Sequence, residues 1–280
     1  VTLTAADRYI YAGRLLNYLD KPDKAVEMFT EGLAASPDEP RLLRHRGHRY
    51  ITVRRYQDAV TDLKRAAELV AGQPDEHEFF QPETQADIIN LILGREDQVR
   101  AQHLPVNAET IEQTKGAYKS TLHGSIYYHL AIAHYLLGEF EEALEAFRAG
   151  DETSVDDDMR VANADWIYMT LRRLGREAEA AAHIAPFDTA GASVNPEEDF
   201  YLQRLKMYKG EQAPEKLLEL SEENKLGFTT QGYGVGNWYL YNGDKARATQ
   251  IFEDVVAKGA KQGFAYMAAE ADLARLTAGQ

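Results

Sequence analysis

The sequence has no cysteine among its 280 residues, which excludes disulfides, thiolate nucleophiles and thiolate metal sites. It is poor in positive charge, with 31 Lys and Arg against 45 Asp and Glu and a formal net charge of −14. A phosphate polymer would be repelled by most of such a surface, which argues against nucleic acid as a partner and disfavours anionic membranes. It lacks an apolar run long enough to span a bilayer, so no membrane insertion is expected. The longest candidate, IYYHLAIAHYLLG, is interrupted by His129 and His134. What is present is 44% hydrophobic and 27% charged, the balance of a globular chain and not of a disordered one. The chain begins at Val1, not Met; we read this as leaning towards an exported or periplasmic protein with its signal peptide removed, with the cytoplasm as the other reading.

The first 73 residues repeat. Gly13 and Gly47 are 34 apart, and so are Ala25 and Ala59, Phe29 and Leu63, and Pro37 and Ala71. Each unit reads as an amphipathic helix (A), a turn, and a second amphipathic helix (B). Pro22 sits where it can open the first helix B. A small residue midway along helix A faces a large one on helix B, the pattern that lets two helices approach closely. The pattern returns in HGSIYYHLAIAHYLLGEFEEALEAFRAG, with Ala131, Ala143 and Phe147, and in VGNWYLYNGDKARATQIF, with Gly236, Ala248 and Phe252.

This period and pattern resemble the tetratricopeptide repeat family. The resemblance implies an all-α, right-handed superhelical solenoid of antiparallel helix pairs with a C-terminal capping helix. The expected division is two units at 6–39 and 40–73, an insertion at 74–123, four units at 124–157, 159–192, 196–228 and 229–262, and a cap at 263–280, together one continuous solenoid domain. Within the insertion, PDEHEFFQPE reads as a turn-rich acidic segment and DIINLILG as a short apolar run. Asn107 reads as a helix cap, and TIEQTKGAYKSTLHG as helical, running into the next helix A.

In that family the A helices line a concave groove. Helical spacing then places Tyr11, Arg14 and Tyr18, then Arg41, Arg44, His45 and His48, then Tyr128 and His129, and finally Asn163, Tyr233, Asn237 and Tyr241 on the inner face. The stretch RLLRHRGHRYITVRR, residues 41–55, holds six arginines and two histidines without a carboxylate. Its inner arginines, with Arg14, form a basic strip flanked by tyrosines, suited to an acidic side chain or chain terminus. Arg46 and Arg49 are expected to meet carboxylates of neighbouring repeats, and Arg54 and Arg55 to end the helix. On this reading Arg41 and Arg44 contact a ligand, so removing them would cost affinity and little stability. The family's carboxylate clamp is not reproduced, since Ile10 and Arg14 stand where its Lys and Asn would be.

Other constellations are weaker. His45 and His48 have a spacing that suits a metal, but arginines surround them and no third ligand is indicated, so no metal or cofactor is expected. GYGVGN lacks the strand and the Lys-Ser/Thr of a phosphate loop, and Gly232 and Gly236 read as packing positions. VDDDM reads as a helix cap. No nucleophile and base can be paired by motif. The expected function is a non-enzymatic scaffold binding a protein or acidic peptide, with a homodimer left open. The alternative is an enzyme or small-molecule receptor whose pocket is closed by the insertion through Phe79, Phe80, Tyr118 and His123.

Overall fold

The computed structural model describes residues 3–100, 103–117, 119–194, 199–220 and 224–279. The chain forms two compact units, residues 1–133 with 152–155 and residues 134–151 with 156–280. The first holds α1 (Ala5–Tyr18), α2 (Pro22–Ala35), α3 (Pro40–Thr52) and α4 (Tyr56–Val70), then β1 (His77–Phe79), α5 (Glu83–Ile92), α6 (Ala108–Gln113), β2 (Lys119–Thr121) and most of α7 (Leu122–Leu137). The second holds α8 (Phe140–Asp151), α9 (Asp157–Arg173), α10 (Glu177–Ile184), α11 (Asp199–Tyr208), α12 (Pro214–Leu220), α13 (Lys225–Tyr241), α14 (Lys245–Lys258) and α15 (Phe264–Thr277). Among the described residues the architecture is all-α apart from the antiparallel β1–β2 ladder.

Six helix pairs reverse through one backbone device. Lys21 N–H bonds the Leu16 carbonyl at 2.9 Å, and the same five-residue step joins Arg55 to Tyr50, Glu139 to His134, Arg176 to Leu171, Glu211 to Lys206 and Asp244 to Tyr239. The preceding residue is left-handed each time: Asp20 (φ 57°), Arg54 (63°), Gly138 (85°), Gly175 (72°), Gly210 (76°) and Gly243 (94°). These are Schellman reversals, which satisfy the orphan carbonyls at the end of each A helix. Starts are equally explicit. Thr4 closes a capping box with Asp7, Pro22 and Pro40 open α2 and α3, and Asp156 of the VDDDM segment caps α9.

Packing inside the pairs uses the small-against-large pattern. A Cβ on Gly13 would strike the Phe29 ring; one on Gly47 would lie 2.6 Å from Leu63 Cγ, and one on Gly236 2.5 Å from Phe252 Cε1. Each of these partners is sixteen residues further on and buried. The glycines of GYGVGN lie inside α13, where Gly232 meets Val255 and Gly234 makes room for Arg204, so they serve packing.

The insertion departs from expectation. β1 forms within the acidic segment, and the apolar run falls in α5 and its end. Asn107 caps α6 as expected, accepting from the N–H groups of Glu109 and Thr110. The helix predicted across residues 110–124 stops at Gln113. The Thr114 hydroxyl bonds back to the Thr110 carbonyl, Gly116 takes φ 81°, and the chain then pairs with β1 in the register His77–Thr121, Glu78–Ser120 and Phe79–Lys119. Tyr118 lies outside the described residues.

Candidate functional site

The face of the first unit predicted to line a groove is occupied by the chain itself. α5 packs on α1: Tyr11, Ile88 and Val99 share one apolar cluster with Leu3, and Tyr18 and Leu91 border it. β1 reaches α3. Glu78 pairs with Arg44 Nη2 at 3.1 Å and His45 Nε2 at 3.3 Å. Arg14 Nη2 donates to the Phe79 carbonyl at 2.8 Å and approaches the Tyr18 hydroxyl at 3.4 Å. Arg41 binds Asp7 Oδ1 at 2.5 Å and Glu39 Oε1 at 2.9 Å. The basic strip therefore meets carboxylates, as its chemistry predicts, but the carboxylates belong to the same molecule. A groove residue was expected to be open; instead Arg44 is 3% exposed and His45 7%. The reason is that a buried guanidinium is tolerated when a carboxylate is buried with it.

The other cations of residues 41–55 also find partners. Arg46 forks onto Asp62 of its own pair at 2.7 and 2.8 Å, and meets the adjacent repeat through the Thr30 hydroxyl at 3.2 Å instead of the carboxylate expected. Arg49 donates to Asn17 Oδ1, an amide in place of the carboxylate expected. Arg55 lies 4.4 Å over the Tyr50 ring and pairs with Asp58 at 2.6 Å.

Three histidines are gathered beside these arginines. His48 and His129 have ring centroids 4.1 Å apart, Tyr128 meets His129 edge-on at 5.8 Å, and His45 stacks on Phe29 at 5.6 Å. Burial, then the charges of nearby arginines, holds all three well below the ordinary imidazole range; the His129 bond to a carbonyl opposes this in part. Hydrogen bonding agrees. His45 Nδ1 faces Arg44 Nη1 at 3.0 Å and must accept from it, leaving its proton on Nε2 towards Glu78. His129 Nδ1–H donates to the Ser125 carbonyl at 2.5 Å. Between β1, α1 and α3 remains a cavity of about 50 Å³, lined by Arg14, Arg41, His45, Glu78, His103 and others.

Of the residues predicted in the second unit, Tyr241 is half-buried and the others are internal. Tyr233 and Asn237 are fully buried and Asn163 is 3% exposed. The Tyr233 hydroxyl donates to Asp272 Oδ2 at 3.0 Å and lies 2.7 Å from the Tyr135 hydroxyl, to which Asn237 Nδ2 donates at 3.2 Å. Helix α15 supplies Asp272, so the terminal helix covers this part of α13. Burial raises the Tyr135 pKa to about 12, keeping it protonated as part of this network. Arg173 and Arg275 complete it on Asp272, at 2.8 and 2.5 Å. Sequence reasoning missed Arg173, Asp272 and Arg275. The signal for them was weak: basic residues near helix ends and one of two acids on a largely apolar last helix.

Among the described residues no cluster of three His, Cys, Asp or Glu side chains has a metal-holding arrangement, and no helix is long and apolar enough to cross a membrane.

Successive antiparallel helix pairs with common reversals and small-against-large contacts define the class: an all-α helical-repeat protein. Residues 124–153 match the model of the tetratricopeptide repeat family, so the repeat carried here is of that kind. The chain is similar to two solved structures of that family. One is the C-terminal part of a TPR repeat-containing protein from Cytophaga hutchinsonii, at 14% identity over 89% of this chain and 95% of that one, with a TM-score of 0.25. The other is the P58(IPK) TPR domain, at 9% identity over 99% of both chains, with a TM-score of 0.23. A comparison with curated protein sequences returned no match.

Proposed function

We propose that this chain is a non-enzymatic protein-interaction scaffold, and that the Arg/His/Tyr face of its first unit recognises extended acidic segments. One observation carries the reading. β1 is an extended strand within the acidic segment 74–83, and it lies on that face with its one carboxylate, Glu78, held by Arg44 and His45 and the Phe79 carbonyl held by Arg14. The chemistry that holds this internal strand is what an acidic partner would need: guanidinium donors for a carboxylate and for backbone carbonyls. A partner binds by competing with β1. The cavity beneath the strand, about 50 Å³, accommodates a few waters. It falls far short of the roughly 300 Å³ at which small-molecule sites begin, which supports the scaffold over an enzyme or receptor closed by the insertion.

The test is fluorescence anisotropy with a labelled peptide of sequence DEHEFF, the chain's own residues 75–80, against wild type and Glu78→Gln. The variant keeps the shape of the internal strand and weakens its charge. We expect tighter binding to the variant than to wild type, and weakening with added salt. Absence of binding to both proteins, or binding indifferent to salt, refutes the acidic-segment reading.

A further inference from the structure

The second unit contains a positively charged recess of about 290 Å³, which shares only Tyr241 with the residues predicted to form a groove and whose lining includes Arg172, Arg173, Tyr241, Lys245, Asp272 and Arg275. Four cations face one carboxylate there, in a chain of net charge −14. Asp272 is already committed: Oδ2 accepts from Arg173 and Tyr233, and Oδ1 from Arg275. Arg172 lies 4.4 Å over the Tyr241 ring and donates to Asn242 Oδ1 at 2.9 Å. Its nearest acid is Glu177 at 3.5 Å, on a side chain 74% exposed. Lys245 is exposed at the rim and has no ion pair among the described residues. The Tyr241 hydroxyl is buried and has no hydrogen-bond partner among the described residues.

Against Asp272 and Glu177 the four cations leave an excess of two positive charges. We propose that this recess binds the phosphate group of a phosphate monoester. Such a group carries about −1.5 to −2 charges at neutral pH, matching the excess, and three acceptor oxygens. Donors to it come chiefly from Arg172 and Lys245, because Arg275 Nη2 is already given to the Tyr135 and Leu136 carbonyls and Arg173 Nη1 to Asp272 and Asn237. A monocarboxylate would leave part of the excess unmet and would offer one oxygen fewer. The apolar side chains of Leu240 and Leu276 in the wall suit the organic part of the ester. α9 and α13 end beside the recess, and their partial negative charge opposes an anion. It is blunted because the carbonyls of Leu171, Arg172, Tyr239 and Leu240 already accept from the Arg176, Gly175, Asp244 and Gly243 N–H groups. The site is independent of the acidic-segment reading of the first unit.

The test is titration calorimetry of the full chain at about 50 mM salt, where screening is modest. The probes are phenyl phosphate, a phosphoserine hexapeptide, the same peptide without phosphate, and succinate. Saturable binding of phenyl phosphate or the phosphopeptide, with succinate and the bare peptide much weaker, supports the site. The tighter of the two phosphates identifies its source as a free ester or a modified protein. Lys245→Ala is expected to weaken binding about fivefold, the scale of a partly exposed charge contact, with an unchanged Tm. Tyr241→Phe is expected to weaken it without lowering Tm, because the hydroxyl it removes has no partner to lose. No saturable binding to wild type, succinate binding equal to phosphate, or affinity unchanged in both variants overturns the proposal.

Discussion

Acid should unfold the first unit in a window set by three histidines, two buried and one, His48, half-buried. His45, His48 and His129 are held neutral by burial and by Arg14, Arg44 and Arg49, with the Glu78 carboxylate shared between Arg44 and His45. In the unfolded chain each imidazole takes a proton near pH 6.5. The folded pKa is the lower one, so the stabilisation is present above pH 6.5 and is lost as pH falls. Between pH 7 and pH 5 each histidine that stays neutral in the fold costs about 2 kcal/mol, and three cost about 6 kcal/mol. That is comparable to the whole stability of an ordinary domain, about 5–15 kcal/mol. The readout must be local. Both tryptophans, Trp166 and Trp238, lie in the second unit, so fluorescence would follow the wrong part of the chain. Amide hydrogen exchange of peptides from α3, combined with urea titration at pH 7, 6 and 5, follows the right one. The expected outcome is a steep fall in α3 protection across that range, made shallower by His48→Gln. A urea midpoint for α3 that stays level from pH 7 to pH 5 would refute the argument. Asp7 acts at lower pH: burial would raise its pKa, but Thr4 and Arg41 hold it below the ordinary value, so its contribution fades only beneath pH 4.

Gly13→Ala and Gly236→Ala should each destabilise by about 1–3 kcal/mol in urea titrations despite a gain in helix propensity, because the new methyl strikes Phe29 or Phe252. Asp165→Ala should cost about 3–5 kcal/mol, since it leaves Arg204 charged and wholly buried; the pair Asp165→Leu with Arg204→Met should recover most of that loss. Arg44→Ala should lower stability by about 3 kcal/mol or more by stranding Glu78, contrary to the expectation for a groove residue; a Tm within a degree of wild type would restore that expectation. Asp20→Gly should raise stability by up to about 1 kcal/mol by relieving a left-handed side-chain residue.

The helix pairs were legible because their cause is local and periodic. Gly13 with Phe29, Gly47 with Leu63 and Gly236 with Phe252 announce close packing at a fixed spacing, and Pro22, Asn107 and Asp156 announce helix starts. The basic strip was legible as chemistry but not as a surface. Charge alone suggested that Arg44 and His45 point to solvent; their partner Glu78 lies more than thirty residues away, on a strand with no alternating apolar pattern to reveal it. Tyr233 and Asn237 were misplaced for a related reason. Their positions on α13 match an open inner face, and only the docking of α15, through Asp272, closes it. Long-range pairing between polar groups leaves no periodic trace, so it becomes visible only in three dimensions.

Among the described residues, the left-handed residues of the six hairpin bends stand at 20, 54, 138, 175, 210 and 243, so successive intervals are 34, 84, 37, 35 and 33 residues. The hairpin made by each A and B helix keeps its backbone bonding through all of that variation. Length changes are absorbed between one bend and the next, in the B helix, the link and the far end of the following A helix, and the fifty extra residues of the insertion enter at such a link. Foreign sequence should therefore be accepted after a B helix. A single residue added between Leu16 and Lys21, or at the matching place in another pair, would unlatch the bend.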